Sequence, residues 1–136
     1  MTLDEYLTPA QKTAPSPYQY ESDVDGINDR LCYNGKLLHG AIGACTETGE
    51  LLDAVKKHVF YGKTLDTTNI EEEVGDVLWY LAEVVAALKE EKPEVTFQSI
   101  LERNVAKLHQ RYNGGAFDPD FAINRDLELE RTILEG

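Results

Sequence analysis

Apolar residues recur at helical spacing across the first half of the chain. Between about residues 27 and 60 they return roughly every 3.6 residues, the period of a helix with one apolar side. Only glycines interrupt the pattern. It predicts one long helix, or two joined near Asn34 and Gly35, with periodic positions at Leu31, Leu38, Ile42, Cys45, Leu52, Val55 and Val59.

A second helix is predicted after a break at residues 61–63. Thr68 stands three residues before Glu71, the spacing of a capping box, in which both side chains satisfy free N–H groups at a helix start. Apolar residues then repeat at helical spacing. We expect this helix to run from Thr68 to about Glu91, ending before Pro93.

Two further helical regions are predicted toward the C-terminus. Thr96 can cap a third helix, which ends near Tyr112 because Gly114 and Gly115 follow. Asp118 and Pro119 open a last helical region through Leu134. No segment alternates with period two, so we predict an all-α helical bundle of about four main helices.

The N-terminal residues form an arm ahead of these helices. Pro9 after Thr8 indicates a fresh helix start, so we expect two short turns before Pro15. The run from Glu21 to Cys32 superficially suggests a calcium loop, but its twelfth position is not the glutamate that an EF-hand needs. The predicted single domain, residues 1–136, comprises an arm at 1–26, core helices at 27–112 and a C-terminal helical region at 118–135.

The charge and composition of the chain limit the kinds of partner and the compartment that we expect. The chain has 25 acidic residues against 13 lysines and arginines, a net charge of −12. This field repels a nucleic-acid backbone, so we expect no nucleic-acid polymer as partner. Residues 1–21 contain no apolar run, so neither a signal peptide nor a membrane anchor is expected. Cys32 and Cys45 form no zinc or disulfide framework, which favours the cytoplasm.

Two carboxylate pairs have helical spacing. Glu47 and Glu50 lie three apart on the first predicted helix, as do Glu73 and Asp76 on the second, so each pair projects from one face. Two antiparallel helices would bring the four carboxylates together, and oxygen ligands suit Mg²⁺. On spacing alone a solvated acidic face is favoured, because so acidic a chain contains such pairs by chance.

Two glycines change that balance. Gly40 and Gly43 follow the same helical stripe as Glu47, and glycine inside a helix costs about 1 kcal/mol relative to alanine. Small residues there would let the neighbouring helix approach closely at the acidic cluster. Ordinary helix–helix packing is an equal explanation, and both can hold together.

The acidic pairs belong to a longer pattern. The stretch LLHGAIGACTETGELLDAVKK, followed by NIEEEVGDVLWYLAEV, contains ExxE and then ExxD. This pattern resembles the MazG-like all-α nucleoside triphosphate pyrophosphatases. The third predicted helix looks like the family's NxxKLxxRY segment, matched here by Asn104, Lys107, Leu108, Arg111 and Tyr112.

The resemblance implies a Mg²⁺-dependent enzyme that cleaves a nucleoside triphosphate or its deoxy form to the monophosphate and pyrophosphate. The implied metal ligands and catalytic residues, with Mn²⁺ able to replace Mg²⁺, are Glu47, Glu50, Glu73 and Asp76. The alternative is a noncatalytic helical protein of the same fold that binds nucleotides or a partner. Thr46 and Asn113 depart from the pattern of many relatives, which leaves the substrate preference open.

Four residues of the third predicted helix are candidate substrate contacts. Lys107 and Arg111 lie four apart on one face and could bind phosphates or pair with surface acids. Asn104 could contact a sugar or base, or bond to a neighbouring helix. Tyr112 is a candidate through the resemblance.

Other candidates flank the acidic pairs. Trp79 could line a base pocket or pack in the core. Glu72 could accept hydrogen bonds beside the motif acids or act as a base through water, and a surface role is the alternative. Lys63 could bind phosphate, or complement the carbonyl end of the first helix.

Apolar residues surround more than one side of the first two helices, as Val84 to Leu88 illustrates. Such helices are buried on several sides. Relatives assemble as dimers or tetramers, so we expect a homodimer or homotetramer.

Overall fold

The described part of the chain is helical. The computed structural model describes residues 1–15 and 28–136, with side chains from Gly35 onward in the second range. No strand occurs in these residues, which confirms the all-α class. The calcium-like run, Glu21 to Cys32, lies outside the residues whose side chains are described. The helices are α1 (Leu3–Gln11), α2 (Asn28–Tyr61), α3 (Thr67–Glu91), α4 (Phe97–Arg111), α5 (Pro119–Ile123) and α6 (Leu127–Glu135).

Helix α1 begins well before Pro9. The Thr2 hydroxyl accepts a hydrogen bond from the Glu5 N–H at 3.1 Å, and the Glu5 carboxylate accepts one from the Thr2 N–H at 2.7 Å. Pro9 lies inside the helix, so the predicted fresh start at Thr8 and Pro9 is wrong. Burial of Leu7 and Ala10 on either side of the proline offsets the missing N–H donor.

The two longest helices differ from the prediction only at one cap. Helix α2 is continuous, which decides between the two predicted arrangements. Helix α3 is capped by Asp66, whose carboxylate accepts a hydrogen bond from the Asn69 N–H at 3.1 Å. The predicted cap at Thr68 is therefore wrong: an aspartate two residues earlier already satisfies the first turn. The predicted end at Glu91 is confirmed.

The C-terminal helices follow the prediction except for one break. Thr96 caps α4, and Gly114, with a φ of 71°, follows its end, as the sequence predicts. Asp118 caps α5. The predicted final helical region consists of two helices, because Asp126 starts a new helix by accepting a hydrogen bond from the Leu129 N–H at 3.0 Å.

The chain divides into two compact units, residues 1–93 and 94–136. In the first unit α3 contacts both α1 and α2. The buried apolar side chains described in this unit are mostly small, namely Leu7, Ala10, Ala82, Val85, Ala86 and Ala87. Among the described residues no large side chain is completely buried. The single domain over residues 1–136 stays a prediction.

Close packing of α2 on α3 depends on Gly40 and Gly43. A Cβ on Gly40 would lie 2.8 Å from the backbone oxygen of Tyr80 and from Cγ2 of Val84. A Cβ on Gly43 would collide with the Tyr80 ring. Both readings of these glycines therefore hold, since they serve helix packing and bring α3 close to α2 beside Glu47.

The second unit is held together by a buried carboxylate. Glu130 on α6 accepts hydrogen bonds from Nε and Nη2 of Arg111 on α4, both at 2.8 Å. Nη2 of Arg125 donates to the same carboxylate at 2.6 Å. These charge-assisted bonds lower the pKa of Glu130 to about 2, with the Arg111 bond as the largest cause.

A stripe of α2 points away from the other helices of its unit. Leu38, Ile42, Leu52 and Val59, which the sequence predicts on the apolar side, are all exposed. The glycines that contact α3 lie on roughly the opposite side of the same helix.

No helix in the described ranges combines the length and apolarity needed to cross a membrane.

Candidate active site

Three carboxylates converge where α2 and α3 pass each other. One oxygen each from Glu47 on α2 and from Glu73 and Asp76 on α3 lies within 4.8 Å of the other two. Glu73 is buried, with 5% of its surface exposed, while Glu47 is half-buried and Asp76 is exposed. The sequence predicts all three from helical spacing and resemblance.

The register of α2 against α3 explains this convergence. Lys36 pairs with Glu90, and the Tyr80 ring lies against Gly43. The two helices are therefore antiparallel, and each step along α2 toward its C-terminus meets an earlier residue of α3. One turn past Gly43, this register brings Glu47 level with the acids of α3.

Glu50 lies one turn further along α2. It is exposed and stands outside the group whose oxygens lie within 4.8 Å. Its negative charge nevertheless raises the pKa of Glu47. The structure therefore brings three of the four predicted ligands together, and Glu50 acts on Glu47 through its charge.

The cluster is electrostatically uncompensated. The pKa of Glu47 is raised, first by burial and then by the charges of Glu50, Asp76 and Glu73. Among the salt bridges of the described residues, none involves Glu47, Glu73 or Asp76. Like charges this close favour protonation unless a cation joins them. Three oxygen ligands with unbalanced negative charge fit a hard divalent cation.

Thr46 and Asn69 support the cluster from its edges. The Thr46 hydroxyl contacts Oε1 of Glu47 at 3.4 Å, which opposes the rise in the pKa of Glu47. Nδ2 of Asn69 donates to Oε1 of Glu73 at 2.7 Å. Asn69 is not among the residues predicted from the sequence, although it lies one helical turn before Glu73, a spacing that brings two side chains together.

An open cleft of about 340 Å³ adjoins the acids. It is lined by Thr13, Glu47, Asp76, Trp79 and Tyr80. The indole Nε1 of Trp79 donates to Oγ1 of Thr13 at 2.8 Å. Burial, followed by the charges of Glu47, Glu83 and Asp76, raises the pKa of Tyr80, so its phenol stays protonated. Trp79 thus lies beside the cluster, and nothing in the sequence pointed to Thr13.

The comparisons with known proteins now decide the family. A family model of the MazG nucleotide pyrophosphohydrolase domain matches residues 42–115, more than half of the 136-residue chain. The chain belongs to the MazG family. No curated protein and no solved structure matches it significantly.

The MazG match spans the four motif acids and all of α4. MazG proteins generally hydrolyse nucleoside triphosphates with a divalent metal. The cluster of Glu47, Glu73 and Asp76 has the oxygen ligands for such a metal.

The predicted contacts on α4 lie in the second unit. Asn104 is exposed, and Lys107 is half-buried. Nε and Nη2 of Arg111 donate hydrogen bonds to Glu130. The Arg111 guanidinium lies 6.0 Å from the centre of the Tyr112 ring. Their roles in substrate binding stay predictions.

Two further candidates lie in the first unit. Glu72 is exposed on α3. Lys63 lies in the α2–α3 connection, where its backbone oxygen accepts a hydrogen bond from Nδ1 of His58 at 2.8 Å. Their proposed catalytic and phosphate-binding roles also stay predictions.

Proposed function

We propose that this chain is a Mg²⁺-dependent pyrophosphohydrolase that cleaves ribo- or deoxyribonucleoside triphosphates to the monophosphate and pyrophosphate. One observation carries the proposal: three carboxylates from α2 and α3 converge within 4.8 Å in a chain of the MazG family. Burial, and then the charges of Glu50, Asp76 and Glu73, raise the pKa of Glu47, and the like charges of the cluster favour a bound cation.

Each acid has a proposed part in the reaction. Glu47, Glu73 and Asp76 hold the metal, with Glu50 as the fourth ligand proposed from the family motif. Bound Mg²⁺ supplies charge neutralisation for the triphosphate and lowers the pKa of water. Water attacks at the α,β-phosphoanhydride, and the P–O bond to the leaving pyrophosphate breaks. Glu72 is one candidate to accept the proton of that water, and a surface role is its alternative.

We further propose that the enzyme works as a homodimer or homotetramer in the cytoplasm. The exposed stripe of α2, with Leu52 at 65% exposure, supports assembly. The absence of any completely buried large side chain among the described residues supports it too. The exposed free thiol of Cys45 agrees with a reducing compartment.

The decisive experiment measures pyrophosphate release from a panel of ribo- and deoxynucleoside triphosphates, with Mg²⁺ and with EDTA. Asp76→Asn should lower kcat by a factor on the order of 10² or more, since it removes one charge from the metal site. Asp53→Asn is the matched control. Asp53 is also an aspartate, on α2, but it pairs with Lys57 at 2.6 Å and lies outside the acidic cluster. Circular dichroism should show the same helicity in both variants.

The outcomes separate the two candidate functions. Metal-dependent pyrophosphate release that Asp76→Asn removes and Asp53→Asn preserves supports hydrolysis and ranks the substrates. Absence of release across the panel would contradict it. Nucleotide binding without release would favour the noncatalytic nucleotide-binding alternative of the same fold.

A further inference from the structure

The N-terminal segment reaches the acidic site through one side chain. Thr13 follows α1, and its Oγ1 donates to the backbone oxygen of Ala10 at 3.0 Å. The same Oγ1 accepts the N–H of Trp79 at 2.8 Å. A hydroxyl has one proton to donate. Because Ala10 takes that proton, the lone pairs of Oγ1 remain for the indole.

Trp79 is constrained on a second side by aromatic rings. The Tyr80 ring stands 4.9 Å from the Trp79 ring, at an interplanar angle of 87°. The ring of His39 lies 6.2 Å away, at 84°. Such edge-to-face contacts favour one orientation of the indole. Thr13 and these rings together hold it at the cleft beside Glu47 and Asp76.

The cleft combines two surfaces of different chemistry. Glu47 and Asp76 form a charged wall, and the half-buried indole of Trp79 forms a flat apolar one. A nucleotide has the complementary pair of groups, since its phosphates require a cation at carboxylates and its base stacks on aromatic rings. The volume, about 340 Å³, falls within the usual range of small-molecule sites.

We infer that Thr13 is a positioning residue for the nucleoside half of the substrate: it fixes the Trp79 indole as the wall on which the base stacks. The inference rests on the proposed function, because it assigns the phosphates to the acidic cluster. It makes the segment after α1 part of the substrate site. Thr13 touches no reacting atom and acts only through Trp79.

The test uses Trp79 itself, which is the single tryptophan of the chain. Its fluorescence is followed while nucleoside monophosphates are added with Mg²⁺, so that binding is read without turnover. The variants are Thr13→Val, which keeps the shape and loses the hydroxyl, and Thr13→Ser, which keeps it. Thr8→Val, at an exposed threonine of α1, is the matched control.

Thr13→Val should weaken monophosphate binding about three- to tenfold, the loss expected for one hydrogen bond. It should raise the KM for triphosphate hydrolysis more than it lowers kcat. Thr13→Ser and Thr8→Val should stay within about twofold of the wild type. Inorganic triphosphate, which lacks a nucleoside, should inhibit all four proteins equally.

Three results would overturn the inference. The first is equal nucleotide binding by Thr13→Val and Thr8→Val. The second is an equal loss of nucleotide and inorganic triphosphate binding in Thr13→Val, which would show a general disturbance of the site. The third is a wild-type Trp79 signal that does not respond to nucleotide.

The proposed hydrolysis can fail separately from this inference. If no pyrophosphate is released but the fluorescence pattern holds, the nucleoside subsite stands and the hydrolytic assignment falls. If pyrophosphate is released while Thr13→Val binds and turns over like the wild type, the role of Thr13 is wrong.

Discussion

The amide of Asn69 orients the carboxylate of Glu73 within the acidic cluster. It donates to Oε1 at 2.7 Å inside the first turn of α3, and the remaining lone pairs of the carboxylate stay free to bind a cation. Removing such an orienting bond weakens metal binding by about tenfold or more. We therefore predict that Asn69→Ala binds Mn²⁺ at least about tenfold more weakly by calorimetry, without nucleotide.

The control for this prediction is Gln98→Ala. Gln98 on α4 donates to Glu102 at 2.7 Å, again one helical turn apart, but at an exposed site. It should bind Mn²⁺ like the wild type. Unchanged Mn²⁺ affinity in Asn69→Ala would show that Glu73 needs no orienting partner.

At this same scale, sequence spacing predicted the acids but not their neighbours. Glu47, Glu73 and Asp76 were predictable because helix geometry relates residues three and four apart, and the family motif selected them from other acidic pairs. Thr13 was not, since its contact with Trp79 spans 66 positions and depends on how α1 packs on α3. Local patterns carry no information about such a distance.

At the scale of helices, capping chemistry set most boundaries, and competing caps caused the errors. Thr96 was predictable because no rival precedes α4. At α3, both Asp66 and Thr68 can cap, and Asp66 does so because it precedes Thr68 and satisfies the first turn. Pro9 favours a helix start locally, yet burial of Leu7 and Ala10 continues α1 through it. Predictions therefore failed where the sequence offered two acceptable local structures.

The ion pair between Arg111 on α4 and Glu130 on α6 should make the stability of the fold depend on pH. The pKa of Glu130 is about 2 in the folded chain, below the ordinary value of 4.5, because Arg111 and Arg125 bond to its ionised form. A lowered folded pKa stabilises the fold above about pH 4.5, and this stabilisation is lost as the pH falls toward 2. Glu130→Gln should have a lower Tm than the wild type at neutral pH. On acidification its Tm should fall by less than that of the wild type.

Glu128→Gln is the control for this pH effect. Glu128 lies on the same helix but is exposed, so its replacement should preserve the wild-type pH profile. Thermal unfolding followed by circular dichroism from neutral pH to about pH 3 gives the comparison. Parallel profiles for Glu130→Gln and the wild type would contradict a stabilising role for the pair.

For the whole molecule, an apolar face and a strong negative charge act in opposite directions. Leu52 is the most exposed residue of the α2 stripe, and this apolar stripe favours pairing with another copy. A net charge of −12 on each chain opposes pairing, and salt screens that repulsion. We predict that the wild type is a dimer or tetramer by light scattering, and that association strengthens as salt is added.

Substituting Leu52 separates the two contributions. Leu52→Glu adds one charge within the stripe and should shift the protein to a monomer of 15.3 kDa. Leu127→Glu adds the same charge at a leucine of nearly equal exposure, 63% against 65%, on α6. Leu127→Glu should leave the assembly intact, because Leu127 lies outside the α2 stripe. It is a control because both variants increase the overall charge repulsion between chains equally. If both variants dissociate equally, the added charge rather than the α2 stripe explains the dissociation. A monomeric wild type would exclude the α2 stripe as an interface.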